Sequence, residues 1–236
     1  PLDGVHVLFN RGWPFVSFEP AVVADFTAEH GEDPRGLEPT DPRWWRHQAR
    51  YVSRFVRAAR EMLDEVGQRR GQRLEFSVTV MAGVEQSLAL GLDVSEWLAR
   101  RWVDHVIVHP CWLPNRWLDT EVRADLSVTP QRIAEVKALA RETCRVYPDV
   151  YPRYVPATDY PRRAEQYYAA GADGLCFWDT YCRVPRKSEW HTIRQLGHVA
   201  DLPQLAEEAR GLFRVYPLTS TAGMSLAPEH TPATNG

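Results

Sequence analysis

The sequence predicts an α/β protein built on a parallel sheet, and three observations carry that prediction. Short apolar segments alternate with longer segments of helical periodicity, strand first and helix second, through five units. The first strand is followed by Asn10-Arg11-Gly12-Trp13-Pro14 rather than a glycine-rich turn, and neither GxGxxG nor GxxxxGK[ST] occurs, which disfavours Rossmann or P-loop nucleotide binding. Residues with chemistry gather directly after successive strands, which favours a (β/α)8 TIM barrel over an open doubly wound sheet.

The elements follow in order. Val5–Phe9 reads as a short buried strand bounded by Asp3-Gly4 and Asn10-Arg11-Gly12. An irregular stretch leads to a short helix near Ala21–His30, stopped by Gly31. Asp41-Pro42 pairs a carboxylate cap with proline in the first turn and starts a helix running to about Val66. Trp44, Tyr51, Val52, Phe55, Ala59, Met62 and Val66 recur three to four apart as its apolar face, and Gly67 and Gly71 end it. The predicted strands Leu74–Met81, Val103–His109, Arg145–Tyr151 and Gly174–Trp178 are followed by helices near Val94–Arg101, Pro130–Thr143 (capped by Thr129), Pro161–Ala170 and Ser188–Leu196. A last helix near Pro203–Phe213 closes the ordered part, so residues 1–216 form one domain. Residues 217–236 are rich in Ser, Thr, Pro, Ala and Gly and are expected to be a disordered tail.

Composition narrows the function. The 236-residue chain carries a net charge of −3, so no broad basic field is available for nucleic acid or an anionic membrane. No apolar run is long enough to span a bilayer. Cys111, Cys144, Cys176 and Cys182 form neither a CxxC pair nor an even framework, and a Cys176–Cys182 bridge is expected only in an exported protein. The chain starts at Pro1 and reads as a strand by Val5, which predicts a missing preceding segment; exported and cytoplasmic locations both fit.

Four blocks resemble the glycoside hydrolase family 10-like proteins, which are glycosidase-like (β/α)8 barrels. They are Asp3-Gly4-Val5-His6-Val7-Leu8-Phe9-Asn10-Arg11-Gly12 with Phe18-Glu19-Pro20, and His30-Gly31-Glu32-Asp33-Pro34-Arg35-Gly36-Leu37 with Asp41-Pro42-Arg43-Trp44. The others are Gly91-Leu92-Asp93-Val94 before Trp97, and Gly171-Ala172-Asp173-Gly174 leading to Phe177-Trp178-Asp179-Thr180. The resemblance spans about Pro1 to His198. It implies that the chain holds the C-terminal part of the barrel, about strands 4–8, and that it hydrolyses a glycosidic bond without a cofactor. One position departs: many relatives carry an aspartate in the first of these strands, where this sequence has Leu8.

Glycoside hydrolysis needs two carboxyl groups facing the scissile bond, placed just past strand ends in a barrel. Glu19, Asp149 and Asp179 are the catalytic candidates. Glu19 has aromatic neighbours, Phe15 and Phe18, that suit a general acid, although a helix-capping carboxylate fits as well. Asp149 lies in a stiff Tyr147-Pro148-Asp149-Val150-Tyr151-Pro152-Arg153 segment and fits either a site residue or a turn aspartate satisfying backbone N–H groups. Asp179 follows Trp178, with Arg183 four residues on as a structural partner in the bland reading. Glu85 is a weaker candidate. Asn10, Arg11, Trp13, His109, Trp112, Arg153 and Trp178 are the expected substrate-binding residues, because sugar C–H faces stack on aromatic rings and hydroxyls need planar polar partners. Trp117 also falls beside a strand end, while Trp44, Trp45, Trp97 and Trp190 lie on helices and are expected to pack inward. His109 and Cys111 alone make a poor metal site, so no metal is expected. The rival readings are a catalytically silent carbohydrate-binding barrel, which Leu8 favours, and a metal-dependent hydrolase or aldolase. The strand ends carry no His-x-His, and neither Lys137 nor Lys187 stands at one.

Overall fold

The computed structural model describes residues 2–9, 14–110, 128–150, 157–178, 187–212, 220–221 and 224–225. These form a mixed α/β protein with a four-stranded sheet in the order β1-β2-β3-β4. The strands are β1 (Gly4–Leu8), β2 (Glu75–Met81), β3 (His105–His109) and β4 (Arg145–Pro148). The helices are α1 (Pro20–His30), α2 (Pro42–Arg70), α3 (Val84–Ala89), α4 (Val94–Ala99), α5 (Pro130–Ala140), α6 (Tyr160–Ala169), α7 (Lys187–Gln195) and α8 (Leu202–Leu212). The chain divides into two compact units, Pro1–Val146 and Tyr147–Gly236. Within the stretch expected to be a disordered tail, β5 (Ser220–Thr221) and β6 (Met224–Ser225) pair antiparallel. Among the described residues no helix is long and apolar enough to cross a membrane.

In the first unit β1 and β2 run parallel, with Val5 opposite Phe76 and Leu8 opposite Thr79. β2 and β3 are also parallel, with Ser77 opposite His105 and Met81 opposite His109. Alternation along the strands sorts the side chains into two faces. Phe76, Val78, Val80, Val106 and Val108 form the apolar face, each at most 1% exposed. Ser77, Thr79, Met81, His105, Ile107 and His109 lie on the other. β1 is less buried than a core strand: Val5 and Leu8 are 41% and 40% exposed.

Short-range signals place the helices well. Asp41 caps α2 by accepting the Arg43 N–H at 2.8 Å, and Pro42 takes the first turn. Asp33-Pro34-Arg35 repeats that arrangement in a 3-10 turn, where Asp33 accepts the Arg35 N–H at 2.9 Å. Asp93 accepts the Glu96 N–H at 2.9 Å to start α4, and Thr129 accepts the Arg132 N–H at 3.3 Å to start α5.

α2 departs from expectation in two ways. It passes through Gly67 and ends at Arg70, with Gly71 closing it in a left-handed conformation at φ 68°. The returning chain explains why: a Cβ on Gly67 would lie 2.6 Å from the Gln72 carbonyl, so the close approach needs glycine inside the helix. The buried face is also rotated from the predicted one. Phe55 and Met62 are about half exposed, while His47, Gln48, Ser53 and Arg60 are buried beside Trp44, Val52, Val56 and Leu63. The polar groups go inside because remote partners satisfy them. Gln48 donates to the Val16 carbonyl at 2.6 Å, and Ser53 Oγ accepts the Trp97 indole N–H at 2.8 Å. Trp97 is fully buried as expected, but Trp190 is 47% exposed.

Arg60 makes the widest-reaching of these contacts. At 4% exposure it donates to the Leu74 carbonyl at 2.9 Å and pairs with Asp104 at 3.0 Å and Asp64 at 2.8 Å. Arg60→Ala strips a buried partner from Asp104 and is expected to destabilise the protein by about 3 kcal/mol. Arg57→Ala removes only a surface pair with Glu61 and leaves the urea midpoint unchanged. Chemical denaturation of both variants checks the contrast.

Candidate functional site

The second sheet face of the first unit carries a polar row. The His6 ring bridges two hydroxyls of β2, with Nδ1 2.7 Å from Ser77 Oγ and Nε2 2.9 Å from Thr79 Oγ1. Ser77 in turn donates to the Val5 carbonyl at 3.4 Å, so its oxygen accepts from a protonated Nδ1 while Nε2 accepts from Thr79. Desolvation against these groups holds the His6 pKa below the usual 6.5, although the residue as a whole remains exposed. Beside this row His105 pairs with Glu75 at 3.1 Å. Local pattern reading missed His6 because it alternates with Val5 and Val7 inside a strand that reads as uniformly apolar.

His109 stands where expected, at the C-terminal end of β3, and is 6% exposed. Its carbonyl accepts the Ala82 N–H at 2.9 Å. That bond helps to hold Ala82, directly after β2, at φ 32°, a backbone conformation that is strained for a residue with a Cβ. Glu85 is exposed in the first turn of α3, whose N-cap is Gly83.

Glu19 is the N-cap residue of α1, but its carboxylate turns back to accept the Ser17 N–H at 2.8 Å. The apolar surroundings expected for it do not form among the described residues. Phe18 stacks on Trp44 at 4.9 Å and Phe15 meets Phe9 edge-on at 5.4 Å, which leaves Glu19 exposed.

In the second unit Asp149 and Trp178 come together. Asp149 is fully buried just past β4, and its Oδ1 accepts the Trp178 backbone N–H at 3.2 Å. The expected strand Gly174–Trp178 shrinks to one parallel bridge, in which Cys176 donates to Pro148 and accepts from Val150, both at 3.0 Å. The side chain of Asp149 takes the N–H that would otherwise extend the ladder, which ends the strand there. Gly174 is needed for the fit, since a Cβ would lie 2.8 Å from the Tyr147 ring. Burial, reinforced by Asp149, pushes the Cys176 thiol up to about 12, so it is protonated and unreactive at neutral pH. Burial also raises the Tyr167 pKa, again with help from Asp149. The Trp178 side of this arrangement is 36% exposed.

Asn10, Arg11, Trp13, Cys111, Trp112, Trp117, Arg153, Asp179, Cys182 and Arg183 lie outside the described residues.

Two desolvated histidines, His6 in the polar row and His47 on α2, give the protein a pH signature. Burial lowers the pKa of both His6 and His47 from 6.5, so the unfolded chain binds more protons than the folded one as acid is added. Stability is therefore held above about pH 6.5 and falls as the pH drops below it. Urea midpoints at neutral and mildly acidic pH check this, and His6→Gln is expected to flatten the slope in part. Set against known proteins, the chain matches no family model and no curated protein.

Proposed function

We propose that this chain is the C-terminal part of a (β/α)8 barrel, about strands 4–8, that binds carbohydrate and hydrolyses a glycosidic bond. The parallel sheet in sequential order supports the barrel, because right-handed crossovers between successive neighbours keep every helix on one face. The observation that carries the functional reading is the pairing of Asp149 with Trp178. A buried carboxylate at a strand end fixes the backbone of a partly exposed tryptophan, which supplies a rigid stacking surface of the kind sugars use. In this reading Glu19 protonates the leaving oxygen, and Asp179, directly after Trp178, acts as nucleophile or base. Asp149 positions Trp178, and Asn10, Arg11, Trp13, His109, Trp112 and Arg153 contact the sugar. The roles of Glu19 and Asp179 rest on the resemblance to glycoside hydrolase family 10-like proteins.

A second reading, a carbohydrate-binding barrel without turnover, draws on two specific observations. Asp149 is wholly buried on a backbone N–H, and the Glu19 carboxylate is engaged by its own loop. Neither geometry alone equips a carboxyl group for proton transfer.

A glycan array followed by a panel of nitrophenyl glycosides separates the two. Hydrolysis is expected, with Glu19→Gln and Asp179→Asn each lowering kcat by about 10²–10⁴-fold and Trp178→Ala mainly raising KM. Glycan binding without turnover selects the second reading. Neither binding nor turnover overturns both.

A further inference from the structure

Away from that site, the end of α1 brings together three groups able to ligate a metal ion. Glu29 and His30 are the last two residues of α1, and His47 faces them from α2. One ligand-capable atom from each lies within 4.8 Å of the other two. Glu29 Oε2 is 3.6 Å from His47 Nδ1, and Glu29 Oε1 is 3.8 Å from His30 Nε2. We propose that Glu29, His30 and His47 bind a single divalent cation of the zinc class.

His47 carries the argument. It is 3% exposed, and its Nε2 lies 3.2 Å from the Val22 carbonyl oxygen. A carbonyl only accepts, so Nε2 holds the ring proton and Nδ1 presents a bare lone pair. Nδ1 is buried with no hydrogen-bond partner among the described residues, and it is directed at Glu29. An imidazole that donates one N–H to a backbone carbonyl and offers its other nitrogen is the arrangement metal-ligating histidines adopt. Burial lowers the His47 pKa, which keeps that lone pair available at neutral pH.

The surroundings fit such an ion. Tetrahedral coordination at about 2.0–2.1 Å sets ligand atoms roughly 3.3 Å apart, and the three ligand atoms already lie within 4.8 Å of one another, so side-chain rotation has at most about 1.5 Å to close. Aromatic rings hold both imidazoles: Phe26 lies 4.2 Å from His30 and 5.2 Å from His47, and Trp44 stacks on His47 at 5.9 Å. The negative end of the α1 dipole favours a cation here. The Glu29 and His30 side chains are 40% and 23% exposed, which leaves a solvent side for a fourth, water ligand. Arg50 now holds both Glu29 oxygens and keeps that carboxyl ionised down to about pH 2. The cation therefore competes with Arg50 for the Glu29 carboxylate, whose two oxygens face the two imidazoles.

The test is titration of the chelator-treated full chain with Co²⁺, read by visible d–d absorption, and with Zn²⁺, read by calorimetry. One equivalent is expected to bind with a tetrahedral Co²⁺ spectrum. His30→Ala and Glu29→Gln are expected to weaken binding by at least about tenfold, the loss typical even of a supporting residue. Arg50→Gln tightens binding by removing a competing cation. His30 is partly exposed, so its alanine variant keeps the test valid if His47→Ala fails to fold, and circular dichroism confirms folding. The proposal is overturned if the unaltered chain takes up no saturable equivalent. It is equally overturned if uptake matches that of a Glu29→Gln/His30→Ala double variant, which means binding at other histidines only.

Discussion

The first unit hangs on one carboxylate. Asp104 stands immediately before β3, and its Oδ2 accepts both the Phe76 backbone N–H at 2.8 Å and an Arg60 N–H at 3.0 Å. Its Oδ1 takes Arg73 at 2.6 Å. Its main chain donates to the Phe76 carbonyl and accepts from Arg145 at the start of β4. One residue thus ties α2 and the first residues of three strands. Register follows from it. With Ser77 set opposite His105, the alternation brings Thr79 and His109 to the polar face. A slip of one residue would carry every one of those groups to the face occupied by Val78 and Val106. The chemistry at one end of the sheet is therefore fixed by an ion pair at the other.

How much of this can be read from sequence depends on how far away each residue's partner lies. Asp41 and Thr129 were legible because each caps an N–H two or three residues ahead, and the structure shows the same local geometry at Asp33 and Asp93, which local pattern reading missed as caps. The inner face of α2 was not legible. Hydrophobic periodicity assigns Phe55 and Met62 inward and sends Gln48, Ser53 and Arg60 out. Val16, Trp97, Leu74 and Asp104 reverse that from elsewhere in the chain, the nearest of them 14 residues away. A buried polar group with a distant partner leaves no local trace.

The same limit divides the candidate site. That Asp149 matters could be read from its stiff, proline-flanked segment, and so could the alternative that it serves backbone N–H groups. The structure shows it in that second role toward Trp178, and the proposed function gives it a place in the site only through that tryptophan. Glu19 could be located but not its surroundings, since Phe15 and Phe18 leave it for Phe9 and Trp44. Adjacency in sequence predicted a pocket that packing assigned elsewhere.

Two histidines illustrate how little separates a structural imidazole from a reactive one. Both are kept neutral by desolvation, and both take their tautomer from a carbonyl oxygen. In His6 the carbonyl acts through Ser77: it claims the hydroxyl proton, Nδ1–H donates to the oxygen, and Nε2 is closed by Thr79. Protonating that ring would force the Thr79 hydroxyl, in a residue only 1% exposed, to give up the acceptor it now has. In His47 the Val22 carbonyl binds Nε2–H directly, and the other nitrogen faces a carboxylate that cannot donate to it. The first ring is fully satisfied and serves the sheet. The second keeps a lone pair that the polypeptide around it leaves open, and a cation is the species that would complete it.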